Sequence, residues 1–408
     1  MLRTILALSL ALLSASSAWA ASSGVKRYII GFKPDSDVAA RSLAVKSLGV
    51  TPVDSLPELD AVVAEVPEER FTIQSFAAQA LAQRSVALVE EDFVTNWLVN
   101  EPGSLQSAPW PSWASIKETL APFKAAAWTP PALPPGVSAD ELPWGIQRVG
   151  APAAWAKTQG AGVRVAVVDT GIDFNHPDLK ANYAGCYNAF DDKKSCMDDN
   201  SHGTHVAGTI AGALDGKGVA GVAPKARLYA VKVLDGDGSG GLVSIIKGIL
   251  WCANNDMQVA NMSLGAPIGT VFMRLAVKYA ASKGVAIVAA AGNSGGSVGY
   301  PAGYSDTIAV SASDINDKLA SFSSRGPRVE FIAPGVNVKS SVPGGGYDSY
   351  NGTSMATPHV AGLAALAVSR GARGLDGVRA AFKRSAKSIG LKPTEQGSGM
   401  IDAAALVR

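Results

Sequence analysis

Short apolar segments that end in a polar residue constrain the fold of this chain more than any other feature. One reads Arg-Val-Ala-Val-Val-Asp over 164–169, and another reads Gly-Val-Ala-Ile-Val-Ala-Ala-Ala-Gly-Asn over 284–293. Runs without polar alternation are typical of strands buried on both faces, as in a parallel sheet. The chain therefore predicts an α/β domain with a mostly parallel sheet. Its strands are predicted near 164–168, 227–233, 259–264, 285–291 and 307–312.

Ser354 stands where a Gly-rich loop meets a small-residue helical pattern that runs over 353–369. A helix N-terminus offers unpaired backbone N–H groups and the positive end of the helix dipole. A serine there can act as a nucleophile while those N–H groups face developing negative charge. A serine before a helix is also commonly only an N-cap, and this stretch alone does not distinguish the two roles.

An acid, an imidazole and a hydroxyl occur in the chain order Asp, His, Ser. Asp169 ends the strand pattern at 164–169, the carboxyl end at which open α/β sheets build their sites. His202 opens the segment His-Gly-Thr-His-Val-Ala-Gly, and Ser354 lies in Asn-Gly-Thr-Ser-Met-Ala-Thr-Pro-His-Val-Ala-Gly. Over roughly 139–408 these segments resemble the three active-site segments of the subtilisin-like serine proteases, or subtilases. The resemblance implies a three-layer α/β/α subtilisin-like fold and a serine endopeptidase with the triad Asp169, His202 and Ser354.

The chain has four histidines, so the catalytic base can be sought by elimination. His359 follows Ser354 by five positions, about 140° around the helix, and so points elsewhere. His176 lies in an Asn-His-Pro-Asp turn, which indicates a structural role. His202 and His205 share a helix face, so spacing does not choose between them, and the family resemblance assigns the base to His202. A zinc site on this pair is weakly supported, because no third ligand has a recognisable spacing.

The resemblance also implies an oxyanion hole and a substrate cleft. It assigns the side-chain amide of Asn293 to the oxyanion, although outside the resemblance a Gly-Asn pair would predict a turn. An extended peptide is expected to bind between two edges as an added strand, with an apolar or aromatic side chain in the primary pocket. The implied substrate-binding residues are Ser263, Leu264, Gly265, Gly238 and Gly299.

Residues 1–20 have the pattern of a signal peptide, which predicts a secreted protein. Arg3 precedes an apolar core over 5–13, and Ala18-Trp19-Ala20 supplies a cleavage site. The apolar core is too short for a membrane span, so no stable membrane anchor is expected.

Residues 25–98 alternate strand and helix patterns and predict a small α+β, ferredoxin-like domain. Strands are predicted at 25–32, 59–66 and 86–98, and helices at 36–48 and 68–84. The two ends of this region resemble those of the subtilase propeptide, which implies an intramolecular inhibitor that is removed when the zymogen processes itself. The predicted layout is a signal peptide at 1–20, a propeptide at 21–98, a linker at 99–138 and a catalytic domain at 139–408.

The predicted linker departs from the family pattern, because it is rich in proline and contains Trp110, Trp113 and Trp128. Pro-rich linkers are semi-rigid, whereas disordered spacers are poor in aromatic residues. Docking of this segment on the catalytic domain and a plain spacer role both remain open. The departure leaves the processing site anywhere from about residue 97 to about 140.

Three cysteines and a set of acidic residues suggest stabilising elements. Cys186 and Cys196 flank the loop that leads to His202, and an exported protein can form a disulfide there. Cys252 lies in an apolar helical stretch and is predicted to be a buried free thiol. The family resemblance implies structural calcium, with Asp140, Asp178 and Asp215 at the matching positions. A surface acid at Asp140 and a helix cap at Asp178 are the alternatives.

The net charge of +2 gives no reason to propose a nucleic-acid partner. The expected partners are polypeptide substrates and the chain's own propeptide, and a monomer is expected. Two alternative functions are less consistent with the sequence. A peptide-binding protein without catalytic activity would not need the complete triad. A protease inhibitor built on 25–98 would not need the rest of the chain.

Overall fold

The structure, a computed structural model, describes residues 24–69, 72–98, 133 and 137–408. The chain forms two compact units, with the boundary between Phe93 and Val94. The predicted signal peptide lies outside the described residues, and so does nearly all of the predicted linker. In the described part of the chain, no helix is both long and apolar enough to cross a membrane.

The first unit is a four-stranded antiparallel sheet with two helices. Its elements are β1 (Val25–Phe32), α1 (Val38–Leu48), β2 (Thr51–Leu56), β3 (Ala61–Pro67), α2 (Ile73–Leu81) and β4 (Val86–Glu91). The strand order is β2-β3-β1-β4, the order of a ferredoxin-like domain, which confirms the fold class predicted for this region. The edge strand β2 was not predicted, because its proline and aspartate are poor strand formers.

Local signals in the sequence set the helix ends of this unit, and aromatic packing fills its core. The Asp37 carboxylate accepts a hydrogen bond from the first turn of α1. Gly49, which follows the helix, caps its C-terminus in the left-handed conformation with φ of 64°. Thr72 begins α2 with a capping box. The rings of Tyr28 and Phe76 lie 4.8 Å apart, between sheet and helix.

The second unit contains the remaining elements. Its strands are β5 (Val94–Asn96), β6 (Arg164–Asp169), β7 (Tyr183–Asn188), β8 (Arg227–Lys232), β9 (Ser239–Gly241), β10 (Val259–Met262), β11 (Ala286–Ala290), β12 (Ile308–Ser313), β13 (Phe331–Pro334), β14 (Val338–Val342), β15 (Gly346–Tyr350), β16 (Ala386–Lys387) and β17 (Met400–Ile401). Its helices are α3 (Trp144–Arg148), α4 (Ala151–Ala154), α5 (His202–Ala211), α6 (Leu242–Asn254), α7 (Val271–Ser282), α8 (Thr353–Ser369), α9 (Gly374–Ser385), α10 (Pro393–Gln396) and α11 (Ala403–Leu406).

A nine-stranded sheet in the order β16-β17-β13-β12-β11-β10-β6-β8-β7 forms the centre of this unit. All neighbouring strands run parallel except β16 and β17. The five strands predicted from apolar runs are β6, β8, β10, β11 and β12, each within two residues of its predicted bounds. Every residue of β10, β11 and β12 is buried, because helices such as α7 and α8 cover these strands. The predicted α/β fold is confirmed.

The region predicted as one strand over 86–98 contains two strands. The first, β4, ends at Glu91 and belongs to the first unit, whereas β5 begins at Val94 and pairs with β9 in the second unit. The sequence did not reveal the division, because each part contains β-branched residues typical of a strand and the partners of the two strands lie far apart in the chain.

Cys186 and Cys196 form a disulfide with their Cα atoms 6.1 Å apart, as predicted. Cys252 is a buried free thiol, and burial raises its pKa. The disulfide closes the loop between β7 and α5, so it restrains the chain just before His202.

Reduction of the disulfide is expected to lower the free energy of unfolding by about 2–3 kcal/mol, because an open loop has more freedom in the unfolded chain. Urea unfolding with and without a reductant measures the change. A Cys186→Ser/Cys196→Ser variant is the control and should not respond to the reductant. Equal unfolding midpoints for the oxidised and reduced protein would contradict the prediction.

Candidate active site

Asp169 and His202 meet at the carboxyl edge of the sheet. Asp169 is the last residue of β6 and is fully buried, and His202 is the first residue of α5. The Nδ1 atom of His202 lies 2.8 Å and 3.0 Å from the two carboxylate oxygens of Asp169. A proton on Nδ1 satisfies these contacts, so the pairing selects the tautomer whose Nε2 is unprotonated and can act as a base.

Ser354 lies in the first turn of α8, which packs against α5. Its hydroxyl donates to the backbone carbonyl of Ser263 at 3.0 Å, and the Ser263 hydroxyl donates to the carbonyl of Ser354 at 2.8 Å. This reciprocal pair attaches the start of α8 to the segment that follows β10. The candidate nucleophile is therefore held against a predicted substrate-binding residue.

The structure separates the two histidines that spacing left unresolved. The ring of His205 points away from Asp169, with Nε2 2.9 Å from the carbonyl of Val338, and it stacks on Tyr350 at 4.3 Å. Burial, followed by the nearby His202, lowers the pKa of His205 to about 3. Such an imidazole stays neutral and packs against the β14–β15 ribbon.

The other two histidines have structural contacts. Nδ1 of His359 lies 2.9 Å from the carbonyl of Met355 inside α8, and burial lowers the pKa of His359 to about 4. Nε2 of His176 lies 3.0 Å from the carbonyl of Gly346. The contact of His176 agrees with the structural role predicted for it, and His359, predicted only to point away from Ser354, bonds within its own helix.

The two buried histidines predict a loss of stability in acid. Between about pH 6.5 and the depressed pKa values, the unfolded chain binds protons on His205 and His359 that the folded chain does not. The free energy of unfolding should therefore fall as the pH drops from about 6.5 towards 4. Urea unfolding of a Ser354→Ala protein, which avoids self-digestion, measures the slope at each pH.

A His359→Gln substitution in the same protein keeps a donor for the Met355 carbonyl but does not titrate. It should reduce the slope of the free energy of unfolding against pH by up to about 1.4 kcal/mol per pH unit, the contribution of one proton. An unchanged slope would show that His359 is not buried in its neutral form.

Asn293 lies beside the start of α8. Its Oδ1 accepts hydrogen bonds from the backbone N–H of Thr353 at 2.8 Å and from the Thr353 hydroxyl at 2.9 Å. The oxygen and the NH₂ group occupy opposite branches of the amide, so these bonds also fix the direction of the NH₂ group. Asn293 is thereby tied to the residue that precedes Ser354.

A strand of the chain itself lies between the two predicted substrate-binding edges. The β5 strand pairs antiparallel with β9, and the N–H of Trp97 donates to the carbonyl of Gly238 at 2.9 Å. On the other side, the N–H of Gly265 donates to the carbonyl of Trp97 at 3.1 Å. The next residue, Leu98, is buried against Gly238. The geometry is that of a peptide added between two edges.

The remaining predicted substrate residues line the same region. Leu264 is buried between Ser263 and Gly265. The N–H of Gly299 donates to the carbonyl of Ala291, and a Cβ added to Gly299 would lie 3.0 Å from the carbonyl of Ala266. A side chain at Gly299 would therefore require this carbonyl to move by a few tenths of an ångström.

Lys232 is a site residue that the sequence analysis missed. It ends β8 in register with Asp169, and its buried ammonium donates to the carbonyls of Thr170 and Leu234 and to the carboxylate of Asp199. A lysine at the end of an apolar strand was the available signal, because a buried cation requires acceptors around it. Lys232 joins the end of β6 to the loop before β9.

The predicted calcium ligands are only partly assembled. Within the described ranges, no group of three or more His, Cys, Asp or Glu side chains could hold a metal ion. Both carboxylate oxygens of Asp178 accept hydrogen bonds, from the N–H of Val219 at 2.8 Å and from the hydroxyl of Tyr347 at 3.1 Å. Burial raises the pKa of Asp178, and the charge of Asp215 raises it further. Asp140 is exposed.

Comparison with known proteins identifies similar chains. Residues 160–399 match the profile of the subtilase family. The chain is 50% identical over 273 residues to subtilisin Savinase of Lederbergia lenta, an alignment covering 66% of this chain and 100% of that protein. It is 48% identical over 270 residues to alkaline elastase YaB of Bacillus sp. (strain YaB), covering 65% and 70%. It is 41% identical over 355 residues to subtilisin E of Bacillus subtilis (strain 168), covering 86% and 82%.

Proposed function

The chain belongs to the subtilase family of serine endopeptidases, and from that premise we propose that it hydrolyses polypeptides through Asp169, His202 and Ser354. The observation that carries the proposal is the 2.8 Å contact between Asp169 and the Nδ1 atom of His202. The helix α5, which carries His202, packs against α8, whose first turn carries Ser354.

In the proposed mechanism, the Oγ atom of Ser354 attacks the peptide carbonyl while Nε2 of His202 takes its proton. Asp169 keeps the imidazole in the required tautomer and stabilises the imidazolium. His202 then gives the proton to the leaving amine, and an acyl-enzyme remains on Ser354. Water attacks this ester with the same base and releases the acid product.

The tetrahedral intermediate places a negative charge on the former carbonyl oxygen. We assign two donors to it, the backbone N–H of Ser354 and the side-chain NH₂ of Asn293. The hydrogen bonds from Thr353 to Asn293 support this assignment, because they hold the amide before substrate arrives. A preorganised donor does not need to reorient during the reaction.

Substrates are proposed to bind in the extended conformation between Gly238 and Gly265. The pairing of Trp97 with both glycines supports this position for the backbone. The buried Leu98 supports a preference for apolar side chains near the cleaved bond.

We assign residues 1–20 to a signal peptide, 21–98 to a propeptide, 99–138 to a linker and 139–408 to the mature enzyme. The position of β5 between the substrate-binding edges supports inhibition by the propeptide, since no substrate can occupy that place until it leaves. Secretion and self-processing follow from this layout. N-terminal sequencing of the secreted protein would identify the processing site.

A serine-directed sulfonyl fluoride tests the proposed chemistry. One equivalent should abolish peptidase activity, and mass spectrometry of the digested protein should place the adduct on Ser354. Full activity after stoichiometric labelling, or an adduct on another residue, would overturn the assignment of the nucleophile.

Structural calcium remains a prediction for this chain. Asp178, Asp215 and the backbone carbonyls between Ala213 and Val219 would hold the ion, since hard cations take carboxylate and carbonyl oxygens. The raised pKa of Asp178 supports the proposal, because its ionised form is disfavoured by burial and by Asp215, and a cation would relieve both effects.

Calcium is therefore expected to raise the melting temperature, and chelation to lower it by several degrees. The effect should grow as the pH rises through the raised pKa of Asp178, because only the carboxylate binds the ion. Calorimetry of the inhibitor-blocked enzyme measures the shift. An Asp178→Asn variant should lose the response, whereas an Asp376→Asn variant, changed at a fully exposed carboxylate, should keep it. Equal melting temperatures with calcium and chelator would contradict the prediction.

A further inference from the structure

Asp198 lies in the loop between the disulfide and α5, and its carboxylate is buried with only 6% of the residue exposed. Its two oxygens accept five hydrogen bonds at distances between 2.5 Å and 3.1 Å. The donors are the backbone N–H groups of Asn200, Ser201 and Thr204 and the hydroxyls of Thr170 and Thr204. No role was assigned to Asp198 in the proposed chemistry.

The Thr170 hydroxyl connects this carboxylate to the acid of the triad. Thr170 directly follows Asp169, and its N–H donates to Oδ1 of Asp169 at 2.7 Å. Its hydroxyl donates to Asp198 at 2.8 Å and accepts from the N–H of Gly203 at 3.0 Å. Gly203 follows the base, His202. One hydroxyl and one carboxylate thus join the end of β6 to the start of α5.

The same junction is tightly packed. A Cβ added to Gly203 would lie 2.1 Å from the carbonyl oxygen of Gly171, so the two backbones touch where both residues are glycine. Ser201, the residue before His202, has a φ of 113°, a left-handed conformation that is costly for a non-glycine residue. The Asp198 carboxylate binds the N–H of Ser201 and so helps to hold this turn.

The contacts of Asp198 also replace an ordinary helix cap. Ser201 is the N-cap of α5, but its side chain makes no capping hydrogen bond. Asp198 instead accepts from the N–H groups of Ser201 and Thr204, and its negative charge lies at the positive end of the helix dipole. An aspartate that only capped α5 would not need its additional bond to Thr170 at the end of β6.

We propose that Asp198 is a positioning residue that, through Thr170, sets the place of His202 relative to Asp169. The inference rests on the proposed function, because it assigns His202 as the base. Misplacement of a catalytic group by a fraction of an ångström lowers turnover while leaving the binding of substrate intact. The residue therefore acts on kcat and not on KM.

An Asp198→Asn substitution tests the proposal, because the amide keeps the shape but only one oxygen can accept. We expect kcat to fall by about 10- to 100-fold, with KM within about twofold of the wild-type value. An Asp192→Asn variant, with the same chemical change at an exposed position of the same loop, should keep both constants. Variants that fail to process themselves are matured by added tagged wild-type enzyme, which is then removed.

The route through Thr170 is tested by a pair of substitutions. Thr170→Ser keeps the hydroxyl and should retain most of the activity, whereas Thr170→Val keeps the shape and should lose about as much as Asp198→Asn. The double variant Asp198→Asn/Thr170→Val should lose little more than either single variant, because both changes break one network. A double variant whose loss of kcat equals the product of the two single losses would overturn the proposed route.

A background that lacks the base separates positioning from general stability. In a His202→Ala protein, Asp198→Asn should not lower the residual rate further, because no imidazole remains to be positioned. A further loss in that background, a rise in KM alone, or an unchanged kcat in the wild-type background would each overturn the proposal. Activity that survived Ser354→Ala would instead overturn the proposed function, so the two failures are distinguishable.

Discussion

A Ser354→Ala variant is expected to lose about 10⁶-fold in kcat, the loss found on removing the nucleophile of subtilisin itself. The substitution removes the atom that we propose forms the acyl-enzyme, while the backbone of α8 and its N–H groups remain in place. The residual rate should come from the oxyanion donors and from substrate binding. KM for a peptide substrate should change little.

The same variant should keep its propeptide attached after secretion, because the proposed self-processing uses the same serine. Peptide hydrolysis and electrophoresis of the secreted protein measure the two effects. A Ser349→Ala variant, changed at an exposed serine of β15, should process itself and keep its activity. Processing of the Ser354→Ala protein at the normal rate, in a host without other proteases, would refute intramolecular maturation.

An Asn293→Leu variant is expected to lose about 10²–10³-fold in kcat, a magnitude that was measured on subtilisin itself. Leucine has nearly the same shape but offers no donor to the oxyanion. The loss should fall on kcat, because the negative charge develops only in the transition state.

The Leu substitution also removes the acceptor for Thr353, so a second variant is needed. Asn293→Asp keeps an oxygen for the N–H and hydroxyl of Thr353 but lacks the NH₂ group. In both variants kcat should fall by at least the factor of about 10²–10³ expected from the missing donor. An Asn316→Ala variant, changed at the surface, should keep the wild-type kcat. Steady-state kinetics of the three proteins measures the effect. Wild-type kcat in the Asp variant would show that Asn293 acts only as an acceptor for Thr353.

Most of the central sheet could be predicted because its signals are local. The run over 164–169 is apolar and β-branched, and it forms the buried strand β6 with Asp169 at its end. The helix that carries Ser354 spans Thr353–Ser369, the same residues that the sequence predicted. Burial on both faces requires such runs, so the strands of a parallel sheet can be recognised one at a time.

Other features could not be predicted, because they depend on which distant segments meet. Helical period does not distinguish His202 from His205, and the family resemblance alone assigned the base to His202. The contact with Asp169, 33 residues earlier, is what distinguishes the two rings physically. The division between β4 and β5 depends on the partner of β5, since the indole of Trp97 donates to the carbonyl of Gly240, 143 residues away. Asp198 resembles any loop aspartate until its five donors converge.

The sequence by itself determined the family, through the resemblance of three segments, and the elements on which Asp169, Ser354 and the two candidate histidines lie. The elements follow from apolar periodicity and helix starts, which neighbouring residues fix, whereas the family follows from the resemblance. Only the tertiary structure decided which imidazole faces the acid, how Thr353 orients Asn293, and which carboxylate joins β6 to α5. Those choices depend on hydrogen bonds whose directions and distances arise only when remote segments pack together.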